Sequence, residues 1–251
     1  MTPSRSPRWL ASVTGVAEAL QALDAGADVI DAKDPGSGAL GALPPSVVRD
    51  IVASLAGRAP VSATLGDRAT MDPADLAAAT LAMTATGVDL VKIGLFPHPG
   101  LAGCIAALRP LARRHRLVGV VFADRLAQYP MADALHALHA LPRLLASAHW
   151  AGIMLDTADK RAGGLLAHCP PAALRGFVDA ARHAGLLCGL AGSLAESDIA
   201  RLAPLGPDLL GFRGALCRDA ARARGFDPAR LRSVAAAMRR ARVDEPAHAG
   251  A

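Results

Sequence analysis

The chain has 251 residues, of which 52% are hydrophobic, 3% aromatic and 20% charged, and its net charge is +5. That length suits one α/β barrel or two small domains, and the apolar fraction supplies a large core of Ala, Leu and Val, which excludes a disordered body. The basic balance admits nucleic acid or anionic small molecules as partners, but so few aromatics weigh against stacking on single strands.

Eight short apolar runs read as strands: Trp9–Val13, Asp28–Ala32, Val61–Leu65, Leu90–Gly94, Leu117–Phe122, Gly152–Leu155, Leu187–Leu190 and Leu209–Phe212. Near-continuous apolar strands suit a parallel sheet covered by helices. Segments of helical period lie between them, among them Val16–Ala25, Pro73–Thr86 and Pro170–His183. Asp72-Pro73 sets a capping side chain before a first-turn proline, and Ser193–Glu196 reads as a capping box. Gly26, Gly87, Gly152 and Gly185 stand where helices should end. The runs Arg113–Arg116 and Arg239–Arg242 follow predicted helices, where cations meet the C-terminal dipole, and read as solvated surface.

Eight βα units in about 240 residues predict a single-domain (β/α)8 TIM barrel over residues 9–242, with mobile ends at 1–8 and 243–251. No glycine-rich dinucleotide fingerprint follows the first strand, where Ser12-Val13-Thr14-Gly15 stands. No stretch of about 18 apolar residues predicts a membrane span. Cys104, Cys169, Cys188 and Cys217 form no CxxC pair and follow no signal peptide, so they read as reduced thiols in a cytoplasmic protein.

Barrel chemistry sits at the C-terminal ends of the strands. Here those ends carry Ser12, Asp31, Lys33, Thr64, Asp67, Lys92, Asp124, Arg125, Asp156, Ser193 and Arg213. Asp67 and Asp124 read equally well as helix caps. Of the 27 basic residues only Lys33, Lys92 and Lys160 are lysine. Arginine fills the generic cation positions, while lysine stands at or beyond the ends of the second, fourth and sixth strands. Lysine alone can shed its proton and act as a nucleophilic amine. Alternation puts Asp31 and Lys33 on one face, and alternate strands share interior layers, so Lys33 and Lys92 should approach each other. Like charge and burial would then lower an amine's pKa, as Schiff-base formation requires.

The loops after strands seven and eight, Ala191–Leu194 and Arg213–Ala215, suit a phosphate. Gly192 and Gly214 let backbone approach an anion, Ser193 adds a donor, and Arg213 offers a bidentate fork. Ser12 and Thr64 complete the candidate substrate-binding set. His98 follows strand four and is a weaker candidate for the mouth. His136 and His139 lack an accompanying carboxylate motif, so no metal site is expected. No GxSxG context surrounds Ser62 or Thr64.

Taken in order, "GADVIDAKDP" (Gly26–Pro35), "GALGA" (Gly38–Ala42), "VSATLGD" (Val61–Asp67), "VKIGL" (Val91–Leu95), "MLDTA" (Met154–Ala158), "LAGS" (Leu190–Ser193) and "GFRGALC" (Gly211–Cys217) form a specific set. It resembles the (5-formylfuran-3-yl)methyl phosphate synthase family of methanofuran biosynthesis, from about residue 9 to about residue 230. The resemblance implies a lyase without cofactor that joins two glyceraldehyde-3-phosphate molecules, with loss of phosphate and water. It implies Lys33 as the Schiff-base lysine and Lys92 as proton acceptor, with Asp31, Asp156 and Lys160 in support. Two triose phosphates need two anion subsites, and Lys160 or the Gly36–Gly41 loop is a candidate for the second. Asp34 stands where archaeal members are expected to have asparagine. A Schiff-base aldolase for another phosphorylated aldehyde, or a non-catalytic phosphate-binding barrel, remains an alternative. Neither a membrane nor a nucleic-acid partner is expected, and a homo-oligomer is left open.

Overall fold

The computed structural model describes residues 6–243. Eight strands run in parallel and close into a barrel in sequence order: β1 (Arg8–Val13), β2 (Val29–Ala32), β3 (Val61–Thr64), β4 (Leu90–Gly94), β5 (Leu117–Phe122), β6 (Gly152–Asp156), β7 (Leu187–Leu190) and β8 (Leu209–Phe212). β8 pairs back onto β1, so no strand edge is left open. Four strands coincide with the predicted runs and the other four differ by one residue at one end. Asp28 falls just outside β2, and its carboxylate accepts the Trp9 N–H (2.8 Å) and pairs with Arg242.

The helices are α1 (Val16–Asp24), α2 (Pro45–Leu55), α3 (Pro73–Thr84), α4 (Leu101–Ala107), α5 (Arg109–Ala112), α6 (Ala134–Ser147), α7 (Leu165–His168), α8 (Pro171–His183), α9 (Ile199–Leu202) and α10 (Pro228–Val243). Their buried faces, such as Val48, Ile51 and Leu55 of α2 or Leu174, Phe177 and Val178 of α8, pack on the outside of the barrel. Each fully buried aliphatic side chain of this jacket contributes about 1.5–3 kcal/mol. Leu10, Val29 and Leu209 form a separate apolar cluster with Leu187 against it. They share the inward parity of Ser12, Asp31 and Arg213. The barrel interior is therefore apolar below and polar towards the C-terminal ends of the strands.

Several local expectations need correction. Arg8 already belongs to β1, and Arg239–Arg242 lies inside the last turns of α10 instead of following it. The remaining predicted mobile ends, 1–5 and 244–251, lie outside the described residues. Gly152 opens β6, where an added Cβ would meet the Leu187 carbonyl at 2.8 Å; His149, at φ 63°, reverses the chain after α6. Ser193 caps nothing, because its own φ is 50° and the turn starts at Glu196. Asp198 instead accepts the Ala195 N–H (2.9 Å), and Glu196 accepts the Ser233 hydroxyl (2.6 Å). The Asp72 cap is present, its carboxylate accepting the Asp75 N–H at 2.9 Å.

Candidate active site

A cavity of about 390 Å³ opens at the C-terminal ends of the strands, with Lys33, Lys92, Asp156, Lys160 and Ser12 in its wall. Strand pairing sets Asp31 beside Ser12 on β1 and Ser62 on β3, and Lys92 beside Thr64. Asp31 is fully buried. Its carboxylate accepts from the Ser12 hydroxyl (2.9 Å), the Ser62 hydroxyl (2.7 Å) and the Lys92 ammonium (2.8 Å). Three donors satisfy a charge that would otherwise be costly to bury.

The second carboxylate, Asp156 at the end of β6, is shared. It holds Lys160 in a close ion pair, accepts the Thr157 N–H (2.8 Å), and lies 3.5 Å from Lys33 Nζ. Burial pushes the Asp156 carboxyl up, but the charges of Lys160 and Lys33 outweigh it and hold the group well below the usual carboxylate range. Lys33 answers to the same arrangement from the other side. Burial lowers its pKa to about 8; Asp156 opposes that, while Lys160 and Lys92 add to it. Lys92 and Lys160 each have a carboxylate at hydrogen-bonding distance, and Lys33 is the most loosely held of the three.

The opposite wall comes from the loops after β7 and β8. Gly192 and Ser193 adopt φ 108° and 50° there, and an added Cβ on Gly192 would press the Thr157 N at 3.1 Å. The backbone N–H groups of Gly192, Ser193 and Leu194 find no acceptor among the described residues. Gly214 and Ala215 open the 3₁₀ turn Gly214–Leu216, whose first N–H groups have no helical acceptor. Two sets of amide donors thus line one cavity. The Arg213 guanidinium is already spent, however. It pairs with Glu18 (2.5 and 3.2 Å) and donates to the carbonyls of Ser12 (3.1 Å) and Arg222 (2.9 Å). The expected phosphate fork is therefore a buried strut between α1 and the β8 loop.

Residues 9–235 match the family described as 4-HFC-P synthase. The chain belongs to the 4-HFC-P synthase family. A relative from Methanopyrus kandleri named (5-formylfuran-3-yl)methyl phosphate synthase is 36% identical over 87% of this chain and 93% of its own. A Methylorubrum extorquens protein provisionally given the same name is 45% identical over 94% of this chain and 93% of its own. Among solved structures, the phosphoribosyl anthranilate isomerase of Thermus thermophilus aligns with a TM-score of 0.62 at 17% identity, covering 93% of this chain and 98% of that one. A structure from Coccidioides immitis provisionally named a deoxyribose-phosphate aldolase aligns at 0.60 and 14%, covering 88% and 81%. At those identities the likeness is one of fold. No helix of the described residues is long and apolar enough to cross a membrane.

This family member uses its other mouth residues as supports. Thr64 is buried and donates to the Gly41 carbonyl (2.8 Å) instead of facing the cavity. Gly41 is packed so closely that a Cβ there would collide with the Asp34 carbonyl. Asp67 accepts the Ala39 and Leu40 N–H groups (2.9 and 2.8 Å), and Asp124 accepts those of Ala158 and Asp159 (both 2.8 Å). Neither caps the helix that follows it; each ties down a neighbouring loop. With Asp67 inside it, the Gly36–Gly41 loop is a poor anion site. Arg125 stacks over Phe96 and Phe122, and His98 accepts the Gly100 N–H (3.0 Å) away from the cavity wall. His136 and His139 are exposed, and the four cysteines are buried free thiols whose pKa burial raises. Sequence reasoning missed Glu18, Ser62 as an Asp31 partner, and Arg222 in the cavity wall. Only the position of Arg222 in the loop after β8 could have pointed to it.

Proposed function

We propose that this chain condenses two glyceraldehyde-3-phosphate molecules into (5-formylfuran-3-yl)methyl phosphate through a Schiff base on Lys33, acting as a carbon–oxygen lyase of methanofuran biosynthesis. The observation that carries the reading is Lys33 itself: a cavity-wall amine with a pKa near 8 and a carboxylate at 3.5 Å but no closer. About a tenth of such an amine is neutral at pH 7, enough to attack a carbonyl. The names of the relatives and the two amide-lined loops support the substrate class.

Lys33 adds to one triose carbonyl, and Lys92, an ammonium held by Asp31, protonates the departing hydroxyl. The iminium draws electrons from the adjacent C–H bond, and the now neutral Lys92 takes that proton. The resulting enamine adds to the aldehyde carbon of the second triose. Elimination of one phosphate, ring closure, dehydration and release of Lys33 give the furan aldehyde phosphate, with a net loss of two waters counted from the two free trioses. Asp156 and Lys160 keep the charge beside the iminium balanced throughout.

Incubation with glyceraldehyde-3-phosphate, borohydride reduction and peptide mapping should find the adduct on Lys33, and the unreduced reaction should accumulate an ultraviolet-absorbing furan. An adduct on another residue, or furan formation without one, would overturn the assignment. A Lys33 adduct with an aldol product and no furan would mark a Schiff-base aldolase instead.

A further inference from the structure

Arg213 is occupied by Glu18, which leaves its guanidinium unavailable to a phosphate in this cavity. Arg222 lies in the loop between β8 and α10, half-buried in the cavity wall. Its guanidinium makes no hydrogen bond or ion pair among the described residues. A Cβ built on Gly214 would lie 3.5 Å from Arg222 Cγ, so the arginine stem runs over a glycine whose amide lines the cavity. Its backbone is fixed from behind: Arg213 Nε donates to the Arg222 carbonyl at 2.9 Å. Arg213 also lies over the Phe226 ring, 5.1 Å from its centroid. Pinning the backbone lowers the ordering cost of using the side chain. Arg230 lines the same cavity but is exposed, where its charge is screened more strongly. Glu196, the acidic residue of that rim, is turned to Ser233 and Arg240.

We propose that Arg222 is the side chain that binds the substrate's phosphate, a phosphomonoester dianion, and that Arg213 is a positioning residue that presents it. The inference rests on the reading that the substrate is a phosphorylated aldehyde. It gives the two arginines of one loop separate tasks, one buried and structural, the other aimed at the ligand.

The test uses the full chain and two probes. Inorganic phosphate titrated by calorimetry should bind the unaltered protein, and Arg222→Gln should weaken that binding about 10- to 100-fold, the loss expected for a charged hydrogen-bonded pair. Arg222→Lys should fall between, keeping charge without the fork, and Arg218→Gln, exposed and outside the cavity wall, should match the unaltered protein. In borohydride trapping, Arg222→Gln should lose the preference for glyceraldehyde-3-phosphate over glyceraldehyde while still labelling with glyceraldehyde. Arg213→Lys should weaken phosphate binding by a smaller factor, and adding it to Arg222→Gln should weaken it no further. Phosphate affinity and phosphate preference untouched in folded Arg222→Gln and Arg222→Lys would overturn the proposal, as would no phosphate binding by the unaltered protein. If phosphate binding behaves as stated but no aldehyde ever labels Lys33, the Schiff-base reading fails and this one stands.

Discussion

The β2–β4 sector and the β6 sector of the mouth each hold a buried aspartate facing lysine, and they treat the charge differently. Asp31 lies under the cavity floor with one lysine at 2.8 Å and two hydroxyls filling its remaining positions. Asp156 lies in the cavity wall between two lysines, close to Lys160 and 3.5 Å from Lys33. The first sector is saturated and fixes an ammonium. The second is short of one negative charge, and the lysine left with the weaker hold is the one whose pKa burial lowers to about 8. A loosely held lysine and a firmly paired one thus come from the same two residue types by changing only how many lysines each carboxylate serves.

The largest effect should follow from removing the loose amine. Lys33→Arg keeps the charge beside Asp156 but cannot condense, so furan formation should fall by more than about 10³-fold with the fold intact. Circular dichroism and a product assay together check it, and residual turnover near the unaltered rate would move the chemistry to another lysine.

Next comes stability, where the two sectors should separate. Asp31→Asn leaves Lys92 buried with no counter-charge, at a cost of about 3–5 kcal/mol. Asp156→Asn should cost less, under about 2 kcal/mol, because Lys33 can drop its proton and Lys160 reaches the cavity. Urea unfolding of both variants at pH 7 reads the difference. Equal losses would mean that Asp156 is as sealed as Asp31 and that the sharing of its charge has no consequence.

The pH dependence sharpens the same contrast. Adduct formation on Lys33 needs the neutral amine, so its rate should climb about tenfold per pH unit below 8 and level off above it. Asp156 raises the Lys33 pKa, so Asp156→Asn should carry the plateau to lower pH, and the trapping rate at pH 7 should rise towards a tenfold ceiling. A limb that stays put, or moves to higher pH, would show that Asp156 does not set the charge of Lys33.

Much of this was legible in the residues and some could not be. Apolar runs bounded by turn residues located every strand to within one residue, because a barrel strand is buried on both faces and needs no partner to reveal it. The lysines stood out because arginine occupies every other basic position. What pattern could not convey was saturation. Arg213 directly follows β8, where the barrel pattern predicts a phosphate ligand, yet Glu18, from a helix nearly two hundred residues earlier, takes its guanidinium. Thr64, Asp67 and Asp124 have the right strand-end positions but spend their polar atoms on the backbone of neighbouring loops. Strand position tells which end of the barrel a side chain occupies; only packing tells what already bonds to it.

Asp34 gives the smallest expected effect and a check on the boundary of the β2–β4 sector. It lies one residue beyond Lys33, but its side chain turns away from the cavity and accepts the Gly36 N–H (2.8 Å) and the Ser37 hydroxyl (2.5 Å) in an exposed turn. Those bonds, Ser37 first, hold its carboxyl below the usual value. A depressed pKa adds stability above the unfolded value and loses it as pH falls through the folded one. Asparagine keeps an acceptor for the same N–H, so Asp34→Asn should change stability at pH 7 by less than about 0.5 kcal/mol. The gap between the two proteins should close only as pH falls below the ordinary aspartate range and through the depressed folded value, and trapping on Lys33 should not change. Unfolding curves at pH 7 and at successively lower pH, with one trapping assay, decide it. A clear change in Lys33 labelling would extend the charge network outside the cavity and dissolve the division between the two sectors.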